Sequence, residues 1–182
     1  MAVSEATYEQ VALEDTDYIW ELVCGELVKR PPMTTEHEEI SSELARQLSG
    51  QLDRREYSVR ANSGRLRVPS GNFRVPDVVV IPREYVRRLQ ATPGTFEVYA
   101  DPVPLVIEVW SRSTGRYDVA DKLREYQERG DLEIWRIHPY ERTLIAWRRQ
   151  LAGSYRETTY TGGDIRPEFL PNVTIAFEKL FD

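Results

Sequence analysis

The stretch Val75-Pro-Asp-Val-Val-Val-Ile81 decides the fold, because its four consecutive apolar residues predict a strand that is covered on both faces. A second run of this kind is Pro104-Leu-Val-Ile-Glu-Val-Trp110. Each run carries one carboxylate, Asp77 in the first and Glu108 in the second. An ionised carboxylate among apolar residues is strongly destabilising when it is alone. A cation or several hydrogen bonds must therefore compensate both acids.

The elements around these two strands alternate between helix and strand. Apolar residues at every fourth position from Ile40 to Leu52 predict a helix over 35–54, and Thr35 with Glu38 has the spacing of a capping box. The interleaving predicts one α/β or α+β domain over residues 1–182, with a central mixed sheet flanked by helices and an N-terminal β-hairpin. The remaining predicted elements are the hairpin at 20–28, strands at 57–61, 65–68, 132–138, 143–149, 155–160 and 173–177, and helices at 83–90 and 118–129.

Composition restricts the class of protein. No stretch approaches 18 consecutive apolar residues, so no membrane span is expected. The first ten residues lack the basic and apolar parts of a signal peptide, and the single cysteine, Cys24, is typical of a reducing cytoplasm. One cysteine and two histidines are too few for a zinc site built from these ligands alone. Carboxylates would have to hold any metal, which favours Mg²⁺ or Mn²⁺.

The charge is distributed unevenly along the chain. The formal net charge is −6, yet residues 54–88 carry nine arginines against three acidic residues. This basic segment is a candidate for contacts with phosphate oxygens, with Arg65, Arg67 and Arg74 as its nucleic-acid-binding residues. The alternative is that these arginines cover solvated strand faces.

Lys122 is the third candidate for chemistry. It lies on the predicted helix 118–129, beside an apolar stripe that includes Val119 and Tyr126. Its ammonium could extend towards the end of the sheet from which that helix departs. The alternative is a lysine whose stem covers apolar surface. Only three of the 24 basic residues are lysines, so the chain retains lysine sparingly.

Two acids and a lysine are the components of metal-assisted phosphodiester hydrolysis. A divalent metal between Asp77 and Glu108 would relieve both their burial and their mutual repulsion. It would also polarise a phosphoryl oxygen and acidify a bound water. Lys122 could orient that water and stabilise the charge developing on phosphorus.

The sequence resembles the Uma family of restriction-endonuclease-like proteins, part of the PD-(D/E)XK nuclease superfamily. The resemblance implies a restriction-endonuclease-like core in which Asp77 and Glu108 bind the metal together with the backbone carbonyl of Val109. The superfamily's usual lysine would stand at Trp110, so the resemblance implies that Lys122 replaces it from the following helix. The matching blocks are 75–81, 104–114, 117–130, 21–28 with His37, and 133–139.

Several further residues are weaker candidates. Glu26 and His37 could complete the site, as could an acid of the first predicted helix, although surface solvation, capping or packing also explains them. Ser111, Ser113 and Thr114 could orient a loop above the metal or simply form a turn. The helix acids are Glu36, Glu38 and Glu39.

Three functions remain open from the sequence. The first is a DNA endonuclease that uses Mg²⁺ or Mn²⁺ at Asp77 and Glu108 with help from Lys122. The second is a nucleic-acid-binding or regulatory module that keeps the fold without efficient catalysis. The third, a glycosidase with paired acids, gives Lys122 no role. Cutting both strands of a duplex is simplest with two related sites, which makes a homodimer one expectation.

Overall fold

The computed structural model describes residues 2–111 and 115–182, without the side chains of 115–119. This described part contains thirteen short strands, four α-helices and one short 3-10 helix (Glu178–Leu180). The helices are α1 (Glu5–Glu14), α2 (Thr35–Gln51), α3 (Arg83–Gln90) and α4 (Gly115–Arg129). The strands are β1 (Trp20–Val23), β2 (Glu26–Lys29), β3 (Tyr57–Ala61), β4 (Arg65–Arg67), β5 (Phe73–Arg74), β6 (Val78–Pro82), β7 (Val98–Tyr99), β8 (Leu105–Val109), β9 (Glu133–His138), β10 (Thr143–Arg149), β11 (Tyr155–Tyr160), β12 (Asp164–Ile165) and β13 (Ile175–Ala176).

A six-stranded sheet, called the main sheet, contains both apolar runs. Its strand order is β11-β10-β9-β8-β6-β3. The pair β8–β9 is parallel and the other pairs are antiparallel. The α4 helix connects the two parallel strands, because parallel neighbours require a crossover. The predicted mixed sheet and the α+β class are confirmed.

Both faces of the main sheet are covered. Side chains alternate along β6, so Val78 and Val80 pack in one cluster with Ile40, Leu44 and Leu48 of α2. Val79 and Ile81 pack on the opposite face with Val86 of α3 and Tyr126 of α4. The continuous apolar run is explained by this double coverage.

A second sheet, with strand order β2-β1-β5-β4-β7, was not predicted. The N-terminal hairpin is confirmed, and it belongs to this second sheet rather than standing alone. The segment 73–81 is divided between the two sheets, because β5 ends at Arg74 and β6 begins at Val78. Pro76 lies at the division and has no N–H to donate to a ladder. The α1 helix was also missed, because the one buried residue in it, Tyr8, gives no periodic apolar pattern.

The α2 helix begins at Thr35 as predicted, but its capping residue and its last residue differ from the prediction. Thr34, not Thr35, caps the helix, since its hydroxyl accepts from the N–H of His37 at 3.4 Å. The last helical residue is Gln51 rather than residue 54, because Leu52 has an extended backbone. Within the described residues, no helix combines the length and apolar character needed to cross a membrane.

Candidate active site

Asp77 and Glu108 are brought together by the register of the main sheet. Val78 is opposite Ile107 in the antiparallel pair β6–β8. The residue before Val78, Asp77, therefore lies beside the residue after Ile107, Glu108. Asp77 is buried, and the Glu108 side chain is 16% exposed. The two carboxylates predicted from separate apolar runs therefore share one end of the sheet.

Asp77 is held by three donors from three parts of the chain. Arg30 forms an ion pair with Oδ1, and His37 Nε2 lies 3.0 Å from Oδ2. The N–H of Val109 also donates to Oδ2, at 2.6 Å. Burial alone would raise the pKa of Asp77, but the hydrogen bond with His37 and the charge of Arg30 outweigh it. The pKa of Asp77 is therefore held below its usual range, and the group stays ionised.

The pKa of Glu108 is shifted in the opposite direction from that of Asp77. Its Oε1 accepts from the Tyr126 hydroxyl at 2.6 Å, and its Oε2 lies 3.4 Å from Lys122 Nζ. Burial nevertheless raises the pKa of Glu108 to about 7, although the charge of Lys122 opposes the shift, and the negative charge of Asp77 adds to the rise. Glu108 is thus the acid whose ionised form is least well compensated.

A second layer of buried charge supports Lys122. Its ammonium lies 3.6 Å from Glu21 Oε1, and Glu21 also pairs with Arg74 at 3.1 Å. Arg74 in turn pairs with Glu125 at 2.6 Å. Burial would raise the pKa of Glu21, but Lys122 and Arg74 lower it below its usual value. This chain of pairs fixes the ammonium beside Glu108.

The buried charges of the site form one network. Among the residues that the structure describes, four carboxylates and three cations make ion pairs in it, and Arg136, opposite Glu108, lines the same cavity as a further cation. Burial is the main cause of the raised pKa of Glu108, and the charge of Asp77 adds to it. The network consists of Glu21, Asp77, Glu108, Glu125, Arg30, Arg74 and Lys122.

A cavity of about 40 Å³ lies between the two acids and the solvent. This volume can hold two or three waters or a partly hydrated ion. In the described chain, no three His, Cys, Asp or Glu side chains converge as a ready-made metal cage. Mg²⁺ typically uses one or two carboxylates and completes its shell with water and phosphate oxygens, so the donor set fits such an ion. The cavity is lined by Arg30, His37, Asp77, Glu108, Trp110 and Lys122.

The structure thus places three candidates from the sequence, Asp77, Glu108 and Lys122, in one site and adds His37 through its contact with Asp77. Glu26 lies elsewhere: it is exposed on β2, opposite Val23. Glu36, Glu38 and Glu39 are also exposed.

The loop candidates have different outcomes. Ser111 is buried and lines the cavity. Ser113 and Thr114 lie outside the described residues.

The three candidate nucleic-acid-binding arginines do not form one surface. Arg74 is buried between Glu21 and Glu125, so the expectation that it meets phosphate is corrected. Arg67 is exposed and pairs with Glu5 of α1. Arg65 donates to the Tyr8 hydroxyl at 3.1 Å. All three belong to the second sheet and are absent from the lining of the cavity.

Sequence reasoning missed four residues of the site. Glu21 lies in β1 and Arg30 directly follows β2, and their contacts with Lys122 and Asp77 join positions far apart in the chain. Tyr126 was assigned only to an apolar stripe, and its hydroxyl was overlooked. Arg136 lies opposite Glu108 in the parallel pair β8–β9, and the alternation of β9 was the available signal.

The fold and the paired acids define a nuclease-like protein of mixed α+β architecture. A solved structure titled as "a putative nuclease belonging to DUF820 from Anabaena variabilis ATCC 29413" superimposes with a TM-score of 0.76. It is 18% identical and aligns over 96% of this chain and 97% of its own. The chain belongs to the Uma2 family, described as "Putative restriction endonuclease", whose model matches residues 6–178. A comparison with curated proteins gave no match.

Proposed function

We propose that this protein is a metal-dependent endonuclease that hydrolyses DNA phosphodiester bonds. The observation that carries the proposal is that Asp77 and Glu108 lie side by side in the register of the main sheet and line the same cavity. A divalent ion, Mg²⁺ or Mn²⁺, would polarise phosphate and acidify water when bound between them. Membership of the Uma2 family supports the same reaction class.

In this proposal the residues of the site have different roles. Asp77 and Glu108 would hold the ion, with the carbonyl of Val109 as a third ligand. Arg30 and His37 keep Asp77 ionised and fixed in orientation. Tyr126 fixes the Glu108 carboxylate through its hydroxyl.

Lys122 presents its ammonium to the cavity, where charge develops on phosphorus during hydrolysis. Its contacts with Glu21 and Glu108 hold it there without a bond to the ion.

A second function is a nucleic-acid-binding or regulatory module without efficient catalysis. It is favoured by Arg30 and Lys122, which already neutralise much of the charge on the acids without a metal. In this function the same fold binds DNA and does not cut it.

The test compares cleavage of supercoiled and linear DNA in Mg²⁺, Mn²⁺ or chelator. Asp77→Asn and Glu108→Gln remove one ligand charge each, and Glu26→Gln is the matched control on an exposed acid. Cleavage lost in the first two variants and kept in the control supports the endonuclease. Undiminished cleavage in both site variants contradicts it, and DNA binding without metal-dependent cleavage supports the second function.

A duplex DNA substrate would favour a homodimeric protein. A homodimer would present two related sites to the two strands of a duplex. Light scattering of the purified protein, alone and with duplex DNA, tests this expectation, and a monomer under both conditions contradicts it.

A further inference from the structure

Four side chains lie near Glu108, where β8 and β9 end. Glu108 is opposite Arg136 and Val109 is opposite Ile137 in the parallel pair β8–β9. The N–H of Trp110 continues this pairing with the carbonyl of Ile137, at 2.8 Å. Because side chains alternate along strands, Trp110 and His138 share the face of Glu108 and Arg136, and Tyr140 lies in the turn that follows β9. The four side chains are Trp110, Arg136, His138 and Tyr140.

Three of these side chains form an aromatic cluster that leads from the cavity to the solvent. The Trp110 and His138 rings are stacked, with centroids 4.4 Å apart and planes 20° apart. Tyr140 meets both rings edge-on, at 6.0 Å from Trp110 and 6.2 Å from His138. Trp110 is half-buried and lines the cavity, whereas Tyr140 is 49% exposed. The outer ring of the cluster is therefore accessible from the solvent.

Arg136 is a cation that lines the same cavity as Trp110. Its guanidinium lies over the Trp147 ring, 5.3 Å from the centroid. Within the described part of the chain, its N–H groups have no hydrogen bond or carboxylate partner, whereas Arg30 and Arg74 in the same region are ion-paired. A guanidinium supported by an aromatic face and with unused donors is well suited to a phosphate.

We propose that Arg136 and the Trp110–His138–Tyr140 cluster form a subsite for one unstacked nucleotide next to the scissile phosphate. The base stacks on the aromatic cluster, and Arg136 binds the adjoining phosphate. This inference rests on the proposed nuclease function and names its substrate class, which is single-stranded or locally opened DNA. In an intact duplex both faces of a base are covered by its neighbours, so only an unpaired nucleotide can occupy such a subsite.

The experiment measures binding without turnover. A short fluorescein-labelled single strand and the matching blunt duplex are titrated with the full-length protein in chelator, and anisotropy is recorded. Trp110→Ala removes the stacking surface, Trp110→Phe restores an aromatic face, and Tyr140→Ala changes an exposed residue with little effect on folding. Arg136→Ala removes the phosphate contact, and Arg156→Ala is the control, because Arg156 is exposed and pairs with Glu168.

Trp110→Ala should weaken single-strand binding about 5- to 100-fold, the range for loss of one base–aromatic stack. Trp110→Phe should restore most of this affinity, and duplex binding should change little. In a series of single strands with one abasic site each, the parent protein should bind more weakly when the abasic site is at one particular position. Trp110→Ala should bind all strands of the series equally. Equal losses for single strand and duplex, or no loss in both Trp110→Ala and Tyr140→Ala, would overturn the subsite.

Cleavage is measured separately, in manganese. Binding with the expected stacking signature but no cleavage means that the nuclease proposal fails and the nucleotide subsite stands. Cleavage with equal preference for duplex and single strand means that the nuclease proposal stands and the subsite fails.

Discussion

Nε2 of His37 lies 3.0 Å from Oδ2 of Asp77, and this contact ties the first turn of α2 to the end of β6. In the described residues, the other ring nitrogen of His37 is buried without a hydrogen-bond partner. Within the described residues, the carboxylate is therefore the polar partner of the imidazole ring. It is a positioning residue for a proposed metal ligand.

The first prediction concerns this positioning. His37→Ala should weaken Mn²⁺ binding about 10- to 100-fold, because partners that orient ligands typically contribute this much. Isothermal titration calorimetry measures the change, with Glu39→Gln as the control on the exposed side of the same helix. An unchanged manganese affinity in His37→Ala would remove His37 from the site.

The second prediction concerns stability and pH in the absence of metal. Burial raises the pKa of Glu108 from 4.5 to about 7, so the folded protein binds a proton more tightly at this group than the unfolded chain does. The stabilising effect is complete below pH 4.5 and is lost as pH rises through 7. From pH 5 to 8 the parent should lose up to roughly 3 kcal/mol relative to Glu108→Gln.

Urea denaturation in chelator at both pH values measures this difference. Asp131 and Glu133 also have pKa values raised by burial, so both proteins lose some stability over the same interval. The comparison between the parent and Glu108→Gln isolates Glu108. Parallel stability profiles for the two proteins would contradict the assignment.

The third prediction concerns metal binding and pH. An ion must displace the proton from Glu108, so binding should release that proton below pH 7. Manganese affinity should rise about tenfold per pH unit up to pH 7 and then level off. Titrations between pH 5.5 and 8.5 measure this, and a flat profile would show that Glu108 is not a ligand.

The fourth prediction separates the two effects of Lys122. Its ammonium lies 3.4 Å from Glu108 Oε2, so a divalent ion held by Glu108, as proposed, would compete with it. Lys122→Met should tighten manganese binding at pH 8 and still lower the cleavage rate about 100- to 1,000-fold. Lys122→Arg is the charge-preserving comparison. Weaker manganese binding in Lys122→Met would mean that the lysine supports the ligands structurally and has no catalytic part.

The fifth prediction tests the corrected role of Arg74. Arg74→Ala leaves Glu21 and Glu125 buried without their shared partner, and should destabilise the fold by about 3–5 kcal/mol. Arg67→Ala removes an exposed pair with Glu5 and should cost less than about 1 kcal/mol. Chemical denaturation measures both. Similar stabilities for the two variants would contradict the buried network.

The sequence predicted what depends on local pattern. Apolar runs identify β6 and β8, and a carboxylate within such a run stands out because its burial requires compensation. Helical spacing placed Lys122 at the border of the apolar stripe of α4, and the structure puts it 3.4 Å from Glu108. These features need only neighbours along the chain.

The compensating groups could not be predicted in this way. Arg30 pairs with Asp77 across 47 positions of sequence, and Glu21 meets Arg74 across 53. The periodicity of a sequence does not predict which acidic residue will form an ion pair with which basic residue across two sheets. The second sheet was missed for a similar reason, because β5 and β7 have only two residues each and carry no repeating pattern.

The segment between β5 and β6 connects the N-terminal hairpin to the candidate active site. The N–H of Val75 donates to Glu21 of β1 at 3.0 Å, two residues before Asp77. A shortened protein that began at α2 would keep every strand of the main sheet, with Asp77, Glu108 and Lys122. It would lose Glu21 and Arg30, and with them the groups that hold the ammonium and the first carboxylate in place. If the proposed site is correct, deletion mapping guided by the main sheet alone would therefore set the minimal functional unit too short.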